Sequence, residues 1–156
     1  MKKVLLAFVF CALAFVSVRS QTTELEIIKS KYKVEKKELV AGFMKFSEEE
    51  ATRFWPLYEE YEAERTKLGN KRVELLKKYA SQYQTITDDQ VDELISEIFD
   101  LHEDIISLRE KYYGKVKEKL NARRAAGFVQ IEEFLENIIR LTIQANIPFF
   151  GDLEKK

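Results

Sequence analysis

From Glu24 onward, apolar side chains recur every three or four positions, which is the period of an amphipathic helix. No stretch alternates β-branched and polar residues over four or more positions, so strands are not expected. The segment from Glu24 to Met44 places Ile27, Ile28, Tyr32, Val34, Leu39 and Phe43 among lysines, which predicts a first helix ending near Gly42. Phe46-Ser47-Glu48-Glu49-Glu50 predicts the next start. Ser47 can accept from the backbone N–H three residues on, and Glu50 can reach back to the Ser47 N–H, which is a capping box. A stripe follows through Ala51, Phe54, Tyr58, Tyr61, Arg65, Leu68, Arg72, Leu75 and Tyr79. Gly69-Asn70 interrupts it, and a mid-helix glycine costs about 1 kcal/mol relative to alanine. The helix can bend or break there, but continuation is expected.

Ile86-Thr87-Asp88-Asp89-Gln90 repeats the signal, with Thr87 and Gln90 as a second capping box and Ile86 and Val91 placed for a hydrophobic staple. Its stripe runs Val91, Leu94, Ile95, Ile98, Leu101, His102, Ile105, Leu108, Tyr112 and Val116. A last helix is expected from Asn121, burying Ala125, Phe128, Ile131, Leu135, Ile138 and Thr142 until Pro148 stops it. Helices two and three each exceed thirty residues, roughly 45–50 Å at 1.5 Å per residue. The pattern therefore predicts an all-α fold, an elongated, thin arrangement of about four helices forming long helical hairpins.

The first twenty residues follow a different rule. Met1-Lys2-Lys3 is a short positive start, Val4 to Val16 carries no charge, and Val18 and Ser20 are small enough to flank a signal-peptidase cut before Gln21. The apolar run is shorter than the roughly 20 residues that span a bilayer. Residues 1–20 are thus expected to be a cleaved signal peptide, sending a single helical domain of residues 21–156 to the periplasm with no membrane span. Losing Lys2, Lys3 and Arg19 takes 26 basic residues to 23 against 27 acidic, a net charge of −4. That balance argues against nucleic acid as a partner. Cys11 is the only cysteine and leaves with the signal, so no disulfide, thiol nucleophile or thiolate ligand remains.

Candidate chemistry is sparse. His102 is the single histidine, and the positions that share its helix face, Ile98, Phe99, Ile105 and Ile106, are apolar. A structural imidazole is the expected reading; no metal, cofactor or catalytic residue is expected, and no enzyme motif occurs. Glu48 to Glu50 open helix two and Lys77-Lys78 close it; Asp88, Asp89, Asp92 and Glu93 open helix three, and Lys111, Lys115, Lys117 and Lys119 close it. This is how charges complement helix dipoles. Arg123-Arg124 extends the basic run and can serve either an anionic partner or the same dipole role. Phe54-Trp55-Pro56-Leu57-Tyr58 is the most unusual local sequence, since Pro56 removes a helix donor and should kink the helix. Phe54, Trp55 and Tyr58 can present a curved face to a partner, or pack in the core against the first helix.

The two capping boxes carry a resemblance. Ile86-Thr87-Asp88-Asp89-Gln90 looks like the LTxxQ motif of the Spy/CpxP family of periplasmic helical proteins, with Ile in place of Leu. Phe46-Ser47-Glu48-Glu49-Glu50 resembles a degenerate first copy with Glu in place of Gln. A literal Leu141-Thr142-Ile143-Gln144 lies at a helix end, close before Pro148, and cannot cap in the same way. Together with the N-terminal signal and long charged helices, the likeness covers most of the mature chain and points to a branch apart from the namesake chaperones. The resemblance implies a cradle-shaped helical homodimer that works without ATP. Members of the family bind unfolded clients, restrain envelope stress sensors or, in one branch, bind metal through histidines that this chain lacks.

Two functions follow as expectations. One is a periplasmic ATP-independent chaperone or envelope-stress accessory that binds exposed apolar segments of unfolded client proteins. The alternative is a dedicated sensor or interaction subunit that binds one envelope signalling protein. Ile147, Phe149 and Phe150, next to Pro148, are the first candidates for partner contact, the other outcome being a plug folded on the protein's own helix ends.

Overall fold

The computed structural model describes residues 35–147. The signal-peptide assignment, the first helix from Glu24 to residue 34, and Phe149 and Phe150 lie outside those residues. The chain divides into two compact units, Met1–Phe43 and Met44–Lys156. Residues 35–44 are helical (α1). The helix ends near Gly42 as the sequence predicts, its last residue being 44, and Lys45 follows it in the left-handed conformation (φ 46°).

Three long helices follow, and each starts where its capping residue predicts. Helix α2 spans Glu48–Gln82, α3 spans Asp88–Lys119 and α4 spans Ala122–Asn146. Ser47 and Thr87 are the N-caps of complete capping boxes. The Ser47 N–H donates to Glu50 Oε2 at 3.0 Å and the Thr87 N–H donates to Gln90 Oε1 at 3.0 Å. Asn121 accepts from the Arg124 N–H at 2.9 Å. Both boxes satisfy donors that the first helical turn would otherwise leave open. α2 runs without a break through Pro56 and Gly69, so neither residue ends it. Among the described residues every regular element is helical, and the fold is all-α.

In the second unit α3 packs against both α2 and α4, its neighbours in sequence. Ion pairs fix the α2–α3 register. Lys78 pairs with Glu97 at 3.0 Å, Lys71 with Asp104 at 3.4 Å, Glu64 with Lys111 at 2.8 Å and Glu60 with Lys115 at 2.8 Å. Each step of seven or four residues down α2 is matched by the same step up α3, as an antiparallel helical hairpin requires. α2 and α4 run parallel, and long side chains rather than close backbones connect them: Tyr58 and Tyr61 reach Glu132, while Arg65 and Arg72 reach Glu136.

The core has two ends of unlike chemistry. Towards the α3–α4 turn it is aromatic: Phe128 meets Tyr61 at 5.1 Å and Phe54 at 6.3 Å between ring centroids, and Tyr61 meets Tyr112 at 5.4 Å. These contacts are edge-on, the favoured arrangement of aromatic quadrupoles. Towards the α2–α3 turn it is aliphatic apart from Tyr79 and Tyr83, a cluster of Leu75, Tyr79, Leu94, Leu101 and Ile105 with Leu68, Tyr83, Ile86 and Ile98 against it.

Candidate functional site

Between these two ends lies a band of buried polar groups. Glu132 accepts from the hydroxyls of both Tyr58 and Tyr61 at 2.9 Å. One turn further along α4, Glu136 is held by the guanidinium groups of Arg65 and Arg72. Glu132 and Glu136 are both buried, and so is Arg72. Burial alone would raise the Glu136 carboxyl pKa, but the Arg72 and Arg65 charges outweigh it and hold the group below its ordinary value. Burial, and after it the negative charge of Glu132, pushes both tyrosine hydroxyls far above their usual range, so they stay protonated and serve only as donors to that carboxylate. Removing one partner of such a set leaves a buried charge uncompensated. The band is therefore a joint between α2 and α4.

Beyond the band, on the aliphatic side, the helices leave an open groove of about 300 Å³. Its walls are Leu75, Leu76 and Tyr79 from α2, Leu94, Ile95, Ile98 and Leu101 from α3, and Ile143 and Ile147 from α4. Arg72, His102, Arg140 and Gln144 complete the lining. That volume is at the lower end of clefts that hold small ligands. His102 is half-buried, and burial followed by the nearby Arg140 and Arg72 lowers its pKa, with Glu136 opposing them. The imidazole is therefore neutral at neutral pH.

At the aromatic end α4 is tied to the start of α2. There Arg124 donates to both carboxylate oxygens of Glu50 at 2.8 and 2.6 Å and to the Met44 carbonyl at 2.7 Å, and its guanidinium lies 5.3 Å from the Phe46 ring centroid. Glu50 thus closes the α2 capping box and anchors α4 with the same carboxylate. Hydrogen bonds from Arg124, then from the Ser47 backbone, keep its pKa below the ordinary value. Of the two arginines weighed for an anionic partner, Arg124 is committed inside the fold.

The residues singled out in the sequence are dispersed. Phe54 and Tyr58 are enclosed against Phe128 of α4 and offer a partner no surface, which corrects their candidacy for contact. Trp55 is half-buried, its ring edge-on to Phe54 at 5.2 Å. Ile147 lines the groove, while Ser47, Glu50, Thr87 and Gln90 sit in the caps. His102 shares its own helix face with apolar neighbours, but α2 and α4 bring Arg72, Glu136 and Arg140 to it. Ile138 and Thr142, expected in the core, are exposed; Glu132 and Glu136 take buried places on α4 instead. A signal for that exchange existed: Arg65 and Arg72 occupy apolar-stripe positions on α2, and Glu132 and Glu136 flank Leu135 on the buried face of α4.

Among the described residues, no three or more His, Cys, Asp or Glu gather as a metal site, and no helix is long and apolar enough to cross a membrane. Comparison with known proteins finds no matching family model, no similar curated protein and no similar solved structure.

Proposed function

We propose that this chain is an ATP-independent chaperone or stress-response accessory of the bacterial envelope, working in the periplasm as a homodimer that holds exposed apolar segments of unfolded proteins. The observation that carries the reading is the amount of large apolar surface left open on α3 and α4, two of the three helices that bound the groove. α3 exposes Phe99 and Ile106, one heptad apart, and α4 exposes Phe134, Ile138 and Leu141, which share a face at spacings of four and three. Phe99 is 61% exposed and Leu141 is 66% exposed, values that mark surface rather than core. Apolar strips with charged neighbours are what reversible binding of unfolded segments needs. The N-terminal signal pattern and the two LTxxQ-like helix starts support the same reading from the sequence.

Light scattering of an aggregating, unrelated client tests it. The purified protein should suppress scattering of several clients, and the double change Phe134→Ser with Leu141→Ser should abolish most of that protection without lowering the melting temperature. Protection confined to a single envelope protein would instead identify a dedicated sensor subunit, and no protection of any client would end the proposal.

A further inference from the structure

The groove has a direction. α2 and α4 run parallel and α3 runs against them, so residues 72, 102 and 140 lie at one end and residues 79, 94 and 147 at the other. Arg72, His102 and Arg140 gather at the first end, and Arg72 is already tied to Glu136. Arg140 is exposed and forms no ion pair or hydrogen bond with another described residue. At the far end the walls are Tyr79, Leu94, Ile95 and Ile147. One end thus offers a spare guanidinium beside an imidazole, and the other is apolar apart from the Tyr79 hydroxyl.

We propose that this groove binds a single-chain amphiphile, a linear hydrocarbon carrying one carboxylate, with its head at Arg140 and its chain laid towards Ile147. A guanidinium fork matches a carboxylate in shape and charge. From Arg140 to Ile147 the helix advances about 10 Å at 1.5 Å per residue, the reach of an extended chain of roughly eight to ten carbons. The wall chemistry favours a hydrocarbon over an extended peptide. A peptide strand pressed into the groove would bring a backbone N–H and C=O at every residue against leucine and isoleucine, with few partners to satisfy them. An acyl chain brings none.

Calorimetric titration of the purified protein with hexanoate, octanoate and decanoate, each below its micelle-forming concentration, tests the inference. Affinity should rise about three- to fourfold for each added methylene, the share of one buried CH₂. Decylammonium should bind at least tenfold more weakly than decanoate. Arg140→Gln should weaken decanoate about tenfold and leave decanol unchanged, with an unaltered melting temperature, and Arg123→Gln should change nothing. Affinity independent of chain length, equal binding of decanoate and decylammonium, or no effect of Arg140→Gln would overturn the proposal. So would an apolar peptide with a free C-terminus binding more tightly than decanoate. Fatty-acid binding and client protection are read by separate assays, so either can fail while the other stands.

Discussion

The two ends of the three-helix unit use the same helices and reach opposite outcomes. At the aromatic end, Phe54, Tyr61, Tyr112 and Phe128 fill the interior with rings at edge-on distances, and Arg124 ties α4 to the start of α2. At the aliphatic end, Leu75, Leu94 and Leu101 are buried, yet the groove beside them stays open and α4 turns Ile138 and Leu141 to solvent. The difference follows from side-chain reach. Tyrosine, phenylalanine and arginine extend far enough to join α2 to α4 where their backbones do not meet, while leucine and isoleucine do not. A ring-filled end and a grooved end are thus made by a change of residue type along continuous helices. Local stability differs within folds, and binding surfaces are drawn from the less stable part.

The largest expected effect tests the closed end. Phe128→Ala should cost about 4 kcal/mol by chemical denaturation, within the range for emptying a buried aromatic site. Leu141→Ala, on the open end, should stay within about 0.5 kcal/mol. Comparable losses at both positions would erase the distinction.

The band between the ends comes next. Glu136→Gln should cost about 3 kcal/mol, because it leaves the Arg65 and Arg72 charges buried without their counter-charge. The carboxyl pKa in the folded protein lies below its ordinary 4.5. Its contribution is therefore fully present above that ordinary value, and is lost as pH falls through the lower, folded one. Stability measured against pH should show an acid limb below about pH 4.5 that flattens in Glu136→Gln. An unchanged limb would assign the acid sensitivity to other carboxylates.

The smallest effect concerns the helix starts. Thr87→Ala should cost about 1 kcal/mol, the usual loss of an N-cap. Ser47→Ala should cost about the same as Thr87→Ala, because it removes only the Oγ that accepts from the Glu50 N–H, while the Ser47 backbone N–H still holds the Glu50 carboxylate that binds Arg124. A clearly larger loss at Ser47 in a side-by-side denaturation series would mean that the cap and the Glu50–Arg124 ion pair act together.

These contrasts also separate what the sequence declares from what it conceals. Helix starts were legible because capping boxes are local, a hydroxyl and a carboxamide or carboxylate three residues apart, and Ser47 and Thr87 stand where they were read. The stripes on α2 and α3 were legible too, since Phe54, Tyr61, Leu75, Leu94, Leu101 and Tyr112 are all buried. On α4 the stripe predicts burial of Ile138 and Thr142, and both are exposed. Its buried face is set by Arg65 and Arg72 reaching across from another helix, and periodicity within one helix holds no record of such a partner. The groove was invisible for the same reason, since its ends are defined only when residues 72, 102 and 140 are brought level. His102 shows this most simply: its own helix surrounds it with isoleucine and phenylalanine, and its neighbours in space include two arginines.

The charge ladder along α2 and α3 has a consequence for error rather than for strength. Its signs reverse halfway: Lys78 and Lys71 on α2 give way to Glu64 and Glu60, while Glu97 and Asp104 on α3 give way to Lys111 and Lys115. Most of these side chains are partly exposed, and an exposed pair adds only about 0.2–1 kcal/mol. A hairpin slipped by one heptad would keep its hydrophobic stripes in contact but could oppose Lys71 to Lys111 and Glu64 to Glu118, turning attraction into repulsion at both rungs. The apolar repeat cannot tell one heptad from the next. The order of signs can, so alignment is written in a code whose individual letters are energetically faint.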